Sequence, residues 1–200
     1  MPKVRLFDER AVATARRTLA SAGVAHAHAI DIEAIAGELG VRVLYRRLDT
    51  ARATIVRSGS NAIICVAERL EGRPVARFAV AHELAHFLLH ADVDHYEQCV
   101  APEEPRDETV WQVEREANDC ATELLIPEAL GAPFCSEPRA GAEAIDRLAR
   151  AFGTSFEMSA IRMTELTMAP CAVVVWACPE SVEGLVTVQP LPRDSSIQIR

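Results

Sequence analysis

The chain has 200 residues, half of them hydrophobic, enough for one ordinary domain with a real core and a small appendage. Its formal net charge of −8 repels phosphate backbones and its arginines are scattered, so bulk electrostatics gives no support to nucleic acid as the main ligand. The longest apolar run, CAVVVWAC at 171 to 178, is too short to span a bilayer. The start MPKVRLFDER lacks the apolar core of a secretory signal, and the six cysteines contain no CxxC pair, so a cytoplasmic protein with reduced, mostly buried thiols is expected.

In chain order, residues 8 to 22 read as an amphipathic helix, and Asp31 caps a second, IEAIAGELG, that stops before Gly40. VRVLYRRL, ATIVRSG and NAIICVAERL, between residues 41 and 70, are β-branched stretches separated by turn residues and predict short antiparallel strands. A helix follows Pro74. An acidic, irregular segment from Asp92 to Asp107 comes next, then a strong helix from about Glu108 to Ile126 that ends at Pro127. AEAIDRLARAFG gives a third helix after the sheet, and Thr154 with Glu157 predicts a capping box for a fourth. CAVVVWA and GLVTVQP close the chain as two strands before a loose tail.

The chemistry sits in the helix after Pro74, in AHELAHFLLH at 81 to 90. At 100° per residue from Phe78, His82, His86, His90 and Glu83 fall between about 40° and about 140°, and the rest of the circumference is apolar. A helix buried on so many sides tolerates a carboxylate and imidazoles in one sector when that sector faces a polar cleft or a cation. In HExxH, histidines one turn apart hold zinc (Zn2+) through ring nitrogens, and the adjacent glutamate reaches the activated water as general base. His82 and His86 are therefore expected ligands and Glu83 the base. Three ligands from one straight helix cannot easily converge on a tetrahedral ion, so His90 is read as a helix-terminal or supporting histidine behind the ligands.

A catalytic zinc site needs a third protein ligand. In the helix after Glu108, Glu114 falls within the apolar face made by Val113, Ala117, Ala121, Leu124 and Leu125, whereas Glu116, Asp119 and Glu123 point the opposite way, where solvent is their expected partner. Glu114 is the expected third ligand, and Asn118, one turn on, is placed to hydrogen-bond a ligand histidine. This set, two histidines and a glutamate with a glutamate base, is that of gluzincin-type metallopeptidases.

RFAVAHELAHFLLH at 77 to 90 followed by EREANDCATELLIPEAL at 114 to 130 resembles the ImmA/IrrE metallopeptidase family, and the likeness extends over about residues 25 to 170. The resemblance implies the same ligands, His82, His86 and Glu114, and the same base, Glu83. Ala85 replaces the usual glycine, Ala79 and Val80 replace threonine and leucine, and Cys120 stands where phenylalanine is common, so no ligand is lost. It also implies a role: cleavage of a regulatory protein, typically a helix-turn-helix repressor, in stress response or mobile-element control.

The expected fold is α+β, a small antiparallel sheet packed on a helix bundle that carries HExxH. Residues 1 to 130 would form the zincin-like core, 131 to 170 a helix-turn-helix-like hairpin packed on it, and 171 to 200 short strands and a tail. His95 and Tyr96 are candidates for an oxyanion donor. The carboxylates from Asp92 to Glu108, with Arg106 the only lysine or arginine among them, are expected to attract a basic partner with a strength that falls with salt. The alternative is a non-catalytic regulator that binds protein or DNA with the same fold. Direct DNA binding is disfavoured, because the four arginines between residues 139 and 165 are matched by four carboxylates.

Overall fold

The computed structural model describes residues 7–26, 28–90, 108–135, 141–167, 171–176 and 185–190. It forms two compact units, the first from the residues up to His26 together with Ile30–Pro127, the second from residues 27–29 together with the chain from Glu128 onward. No helix among the described residues is long and apolar enough to cross a membrane.

The first unit opens with α1 (Glu9–Ser21), whose N-terminal amide at Ala11 donates to the Asp8 side chain, and α2 (Ile32–Glu38), capped in the same way by Asp31. Three strands follow: β1 (Val41–Arg46), β2 (Ala53–Ser58) and β3 (Asn61–Ala67), in the spatial order β1-β3-β2. β2 and β3 pair antiparallel, as expected, across a tight turn in which Gly59 takes φ 61°. β1, however, runs parallel to β3, from Val41 opposite Ala62 to Arg46 opposite Ala67, so the sheet is mixed rather than antiparallel. Residue alternation says which side chains share a face, not which way a neighbouring strand runs.

β3 buries Ala62, Ile64 and Val66 along one face. Packed on the sheet is α3 (Pro74–Leu89), which starts with proline at a position where a missing amide costs nothing. It also contacts α1, α2 and α4 (Glu108–Leu125), which explains a helix with apolar residues almost all round. α3 is the axis of this unit.

The acidic face of α4 corrects an expectation. Glu116 and Glu123 are buried, not solvated, because α1 lies over them. Arg16 Nε donates to Glu123 Oε1 at 2.8 Å, Arg10 Nη2 to Glu116 Oε2 at 3.2 Å, and the Asp8 amide to Asp119 Oδ2 at 2.7 Å.

The second unit contains α5 (Glu128–Gly131), a 3-10 turn (Ala132–Cys135), α6 (Ala142–Phe152), α7 (Phe156–Leu166) and the antiparallel pair β4 (Cys171–Trp176) and β5 (Leu185–Pro190). Ile145, Leu148, Phe152, Ala160 and Met163 form its core. Gly153 ends α6 in the left-handed conformation. The cap of α7 is Ser155, which accepts from the Met158 amide, and not Thr154, whose hydroxyl pairs with that of Ser159. Arg162, the one basic residue on α7, is 2% exposed and paired to Glu165, so this helix presents no cation to a phosphate.

Two glycines give opposite expectations. Gly40 sits at φ 79°, and a Cβ there would lie 2.8 Å from Asn61 Oδ1. Gly40→Ala should cost about 1–2 kcal/mol in urea unfolding. Gly37, on α2 with nothing near its missing Cβ, should give about 0.5–1 kcal/mol of added stability as alanine.

Candidate metal centre

α3 and α4 pack against each other, and both carry small buried residues, Ala81 and Ala85 on one and Ala117 and Ala121 on the other. Across this contact His82, His86 and Glu114 converge, each offering one ligand atom within 4.8 Å of the others. His82 Nε2 lies 3.2 Å from Glu114 Oε2, His86 Nε2 3.3 Å from Glu114 Oε1, and the two Nε2 atoms are 3.1 Å apart. Donors bound at zinc distances in a tetrahedron stand about 3.3–3.4 Å from one another. The donor set and its spacing therefore fit such an ion. Two ring nitrogens and a carboxylate around one point need a positive charge among them, a proton or a cation.

The remaining ring nitrogens are held from behind. His82 Nδ1 is 3.0 Å from Asn118 Oδ1, an acceptor, so the imidazole donates there and, in its neutral form, leaves Nε2 bare. His86 Nδ1 is 3.1 Å from His90 Nδ1, and His90 Nε2 is 3.2 Å from Glu116 Oε2. Glu83, next to His82, is 2% exposed. Of the three converging residues Glu114 is the most open, with 31% of its side chain accessible.

Glu116, Gln112 and Arg10 belong to this region and escape a reading of α4 alone. The signal is on α1, whose Arg10 and Arg16 flank a buried stripe of Ala11, Thr14, Ala15 and Leu19 and match the carboxylates of α4. Arg57 of β2 is another: it donates to the His86 carbonyl at 2.6 Å and lies over the Phe87 ring, fixing the last turn of α3 to the sheet edge. His95, Tyr96 and the acidic segment before Glu108 fall outside the described residues.

The IrrE N-terminal-like domain model, Peptidase_M78, matches residues 36–164. The chain belongs to this family. The match takes in α3, α4, α6 and most of α7 as well as the sheet. A Mycobacterium tuberculosis transcriptional regulator has a similar structure, with TM-score 0.59 and 19% identity over 84% of this chain and 52% of that one. This chain thus spans about half the length of that regulator, and the likeness is one of fold. No curated protein matches in sequence. Together these place the chain in a zincin-like α+β fold of the IrrE and ImmA kind.

Burial alone would pull the His82 imidazole down, but its hydrogen bond to Glu114, the charges of Glu83 and Glu114 and the Asn118 contact outweigh it, and the net shift is upward from 6.5. Burial would raise Glu114, and its hydrogen bonds and charge interactions with both histidines reverse that and hold it far below the usual carboxylate range. In metal-free protein the His82–Glu114 pair stabilises fully below the ordinary histidine value and fades as pH rises through the raised one. Glu114 contributes above the ordinary carboxylate value and fades only at strongly acid pH. Metal uptake goes the other way, weakening by about tenfold per unit of acidification below the raised His82 value, because the proton must leave first. The Tm advantage of wild type over Glu114→Gln should therefore shrink from pH 6 to 8 without metal and grow with it. A pH-independent difference in both states would contradict the pairing.

Burial and the charges of Glu123 and Asp119 push the Cys120 thiol up to about 12. It stays protonated and is no nucleophile at neutral pH.

Proposed function

We propose that the chain is a zinc-dependent endopeptidase that cleaves a regulatory protein, with a helix-turn-helix repressor as its candidate substrate, in stress response or mobile-element control in the cytoplasm. The observation that carries this is the near-tetrahedral spacing of His82, His86 and Glu114 with Glu83 buried beside them. Membership of the Peptidase_M78 family supports hydrolysis, and the regulatory role draws support from the similar fold of a protein named as a transcriptional regulator.

His82, His86 and Glu114 would hold the ion. Zinc held there would supply Lewis acidity, acidifying a water and polarising the scissile carbonyl. Glu83 takes the proton from the attacking water and passes it to the departing amine nitrogen, so one carboxylate serves both halves of peptide hydrolysis. Asn118 keeps the His82 ring turned so that Nε2 faces Glu114. The same burial that isolates Glu83 from bulk water keeps its proton transfer local.

The competing reading, a regulator that binds DNA or protein without cutting, gains nothing from α7, whose arginine is buried. It also leaves Glu83 without a purpose, since a structural zinc site has no use for a general base. Incubating the zinc-loaded protein with a panel of helix-turn-helix repressors, with and without chelator, tests the proposal. Mass spectrometry should show metal-dependent cleavage at a defined bond. A repressor held tightly yet left intact would favour the regulator instead.

A further inference from the structure

His90 and Glu116 are both buried, and both stand behind the converging histidines rather than among them. The Glu116 carboxylate receives Gln112 Nε2 at 2.9 Å on Oε1 and Arg10 Nη2 at 3.2 Å on Oε2, and the same Arg10 nitrogen donates to the Leu89 carbonyl at 3.2 Å. His90 Nε2 reaches Oε2 at 3.2 Å, and its other nitrogen meets His86 Nδ1 at 3.1 Å. Arg10, Gln112, Glu116 and His90 thus form one connected network that ends on His86.

We propose that His90 and Glu116 are positioning residues that determine which nitrogen His86 turns toward the metal; this rests on the metal reading of His82, His86 and Glu114. A contact between two imidazole nitrogens holds a single hydrogen, and its direction is decided at the far ends. An ionised carboxylate only accepts, so His90 Nε2 carries the hydrogen toward Glu116. When that ring is neutral, it presents Nδ1 as a bare acceptor. His86 must donate from Nδ1, which leaves its Nε2 free on the side of His82 and Glu114. Asn118 does the same for His82 with a single amide oxygen, whereas His86 needs two residues and reaches the N-terminal helix through Arg10. A histidine that only capped α3 would have no requirement for a carboxylate on its second nitrogen.

The test measures zinc dissociation constants by chelator competition for wild type, His90→Phe, Glu116→Leu and the acceptor-retaining variants His90→Gln and Glu116→Gln. The first two should bind zinc about 10–100-fold more weakly, and the glutamines should recover most of the loss. Equal affinities for wild type, His90→Phe and Glu116→Leu would overturn the inference while leaving the metal site intact. Wild type that took up no zinc would overturn the metal reading and this inference with it. Should the apolar variants fail to fold, long-range nitrogen–proton NMR of zinc-loaded wild type decides. Hydrogens on His86 Nδ1 and His90 Nε2 support the relay, and a hydrogen on His90 Nδ1 overturns it.

Discussion

Glu83→Gln should leave fold and metal in place and reduce cleavage of the cognate repressor by at least about 100-fold, the lower end of what a positioned general base contributes. The substitution keeps shape and volume at a site that is 2% exposed, so no cavity opens. It removes the one property the proposal needs, a basic carboxylate one residue from His82. The charge of Glu83 is also among the causes that raise His82, so the variant should release the His82 proton more readily and hold zinc at least as well in mild acid. Metal content, circular dichroism and cleavage rate on the same preparation separate these effects. Undiminished cutting would remove Glu83 from the chemistry, and lost metal would mean that it ligates.

The second large effect is on the metal itself. Glu114→Ala should weaken zinc binding by about 10²–10³-fold, since roughly a quarter of a total zinc affinity of 10–16 kcal/mol goes with one ligand of four. Glu116→Ala, which acts only through His90, should cost less. This order follows from position: Glu114 meets both Nε2 atoms, whereas Glu116 meets His90. Competition titrations that ranked Glu116 above Glu114 would reverse the assignment on α4.

Much of the candidate site is legible in the residues, because burial and polarity contradict each other there. Apolar neighbours all round α3 leave one sector for His82, Glu83, His86 and His90, and the apolar face of α4 includes one glutamate, Glu114. The other face of α4 is not legible from that helix. Glu116 and Glu123 look solvated until α1, about a hundred residues earlier in the chain, is laid across them with Arg10 and Arg16 as partners. Strand direction is hidden in the same way: Val41, Val43 and Tyr45 read as a strand by type, yet only the tertiary fold sets β1 parallel to β3. Thr154 and Ser155 are both good caps, and the choice of Ser155 depends on the Thr154 hydroxyl having a buried partner in Ser159.

X-ray absorption at the zinc edge of the loaded wild-type protein tests the centre most directly, because it reports ligand type without a substrate. The expected spectrum shows about four nitrogen or oxygen neighbours at about 2.0–2.1 Å, with the outer-shell scattering of two imidazoles and no sulfur. A zinc–sulfur distance near 2.3 Å, the loss of imidazole scattering, or the same spectrum from Glu114→Ala would contradict it.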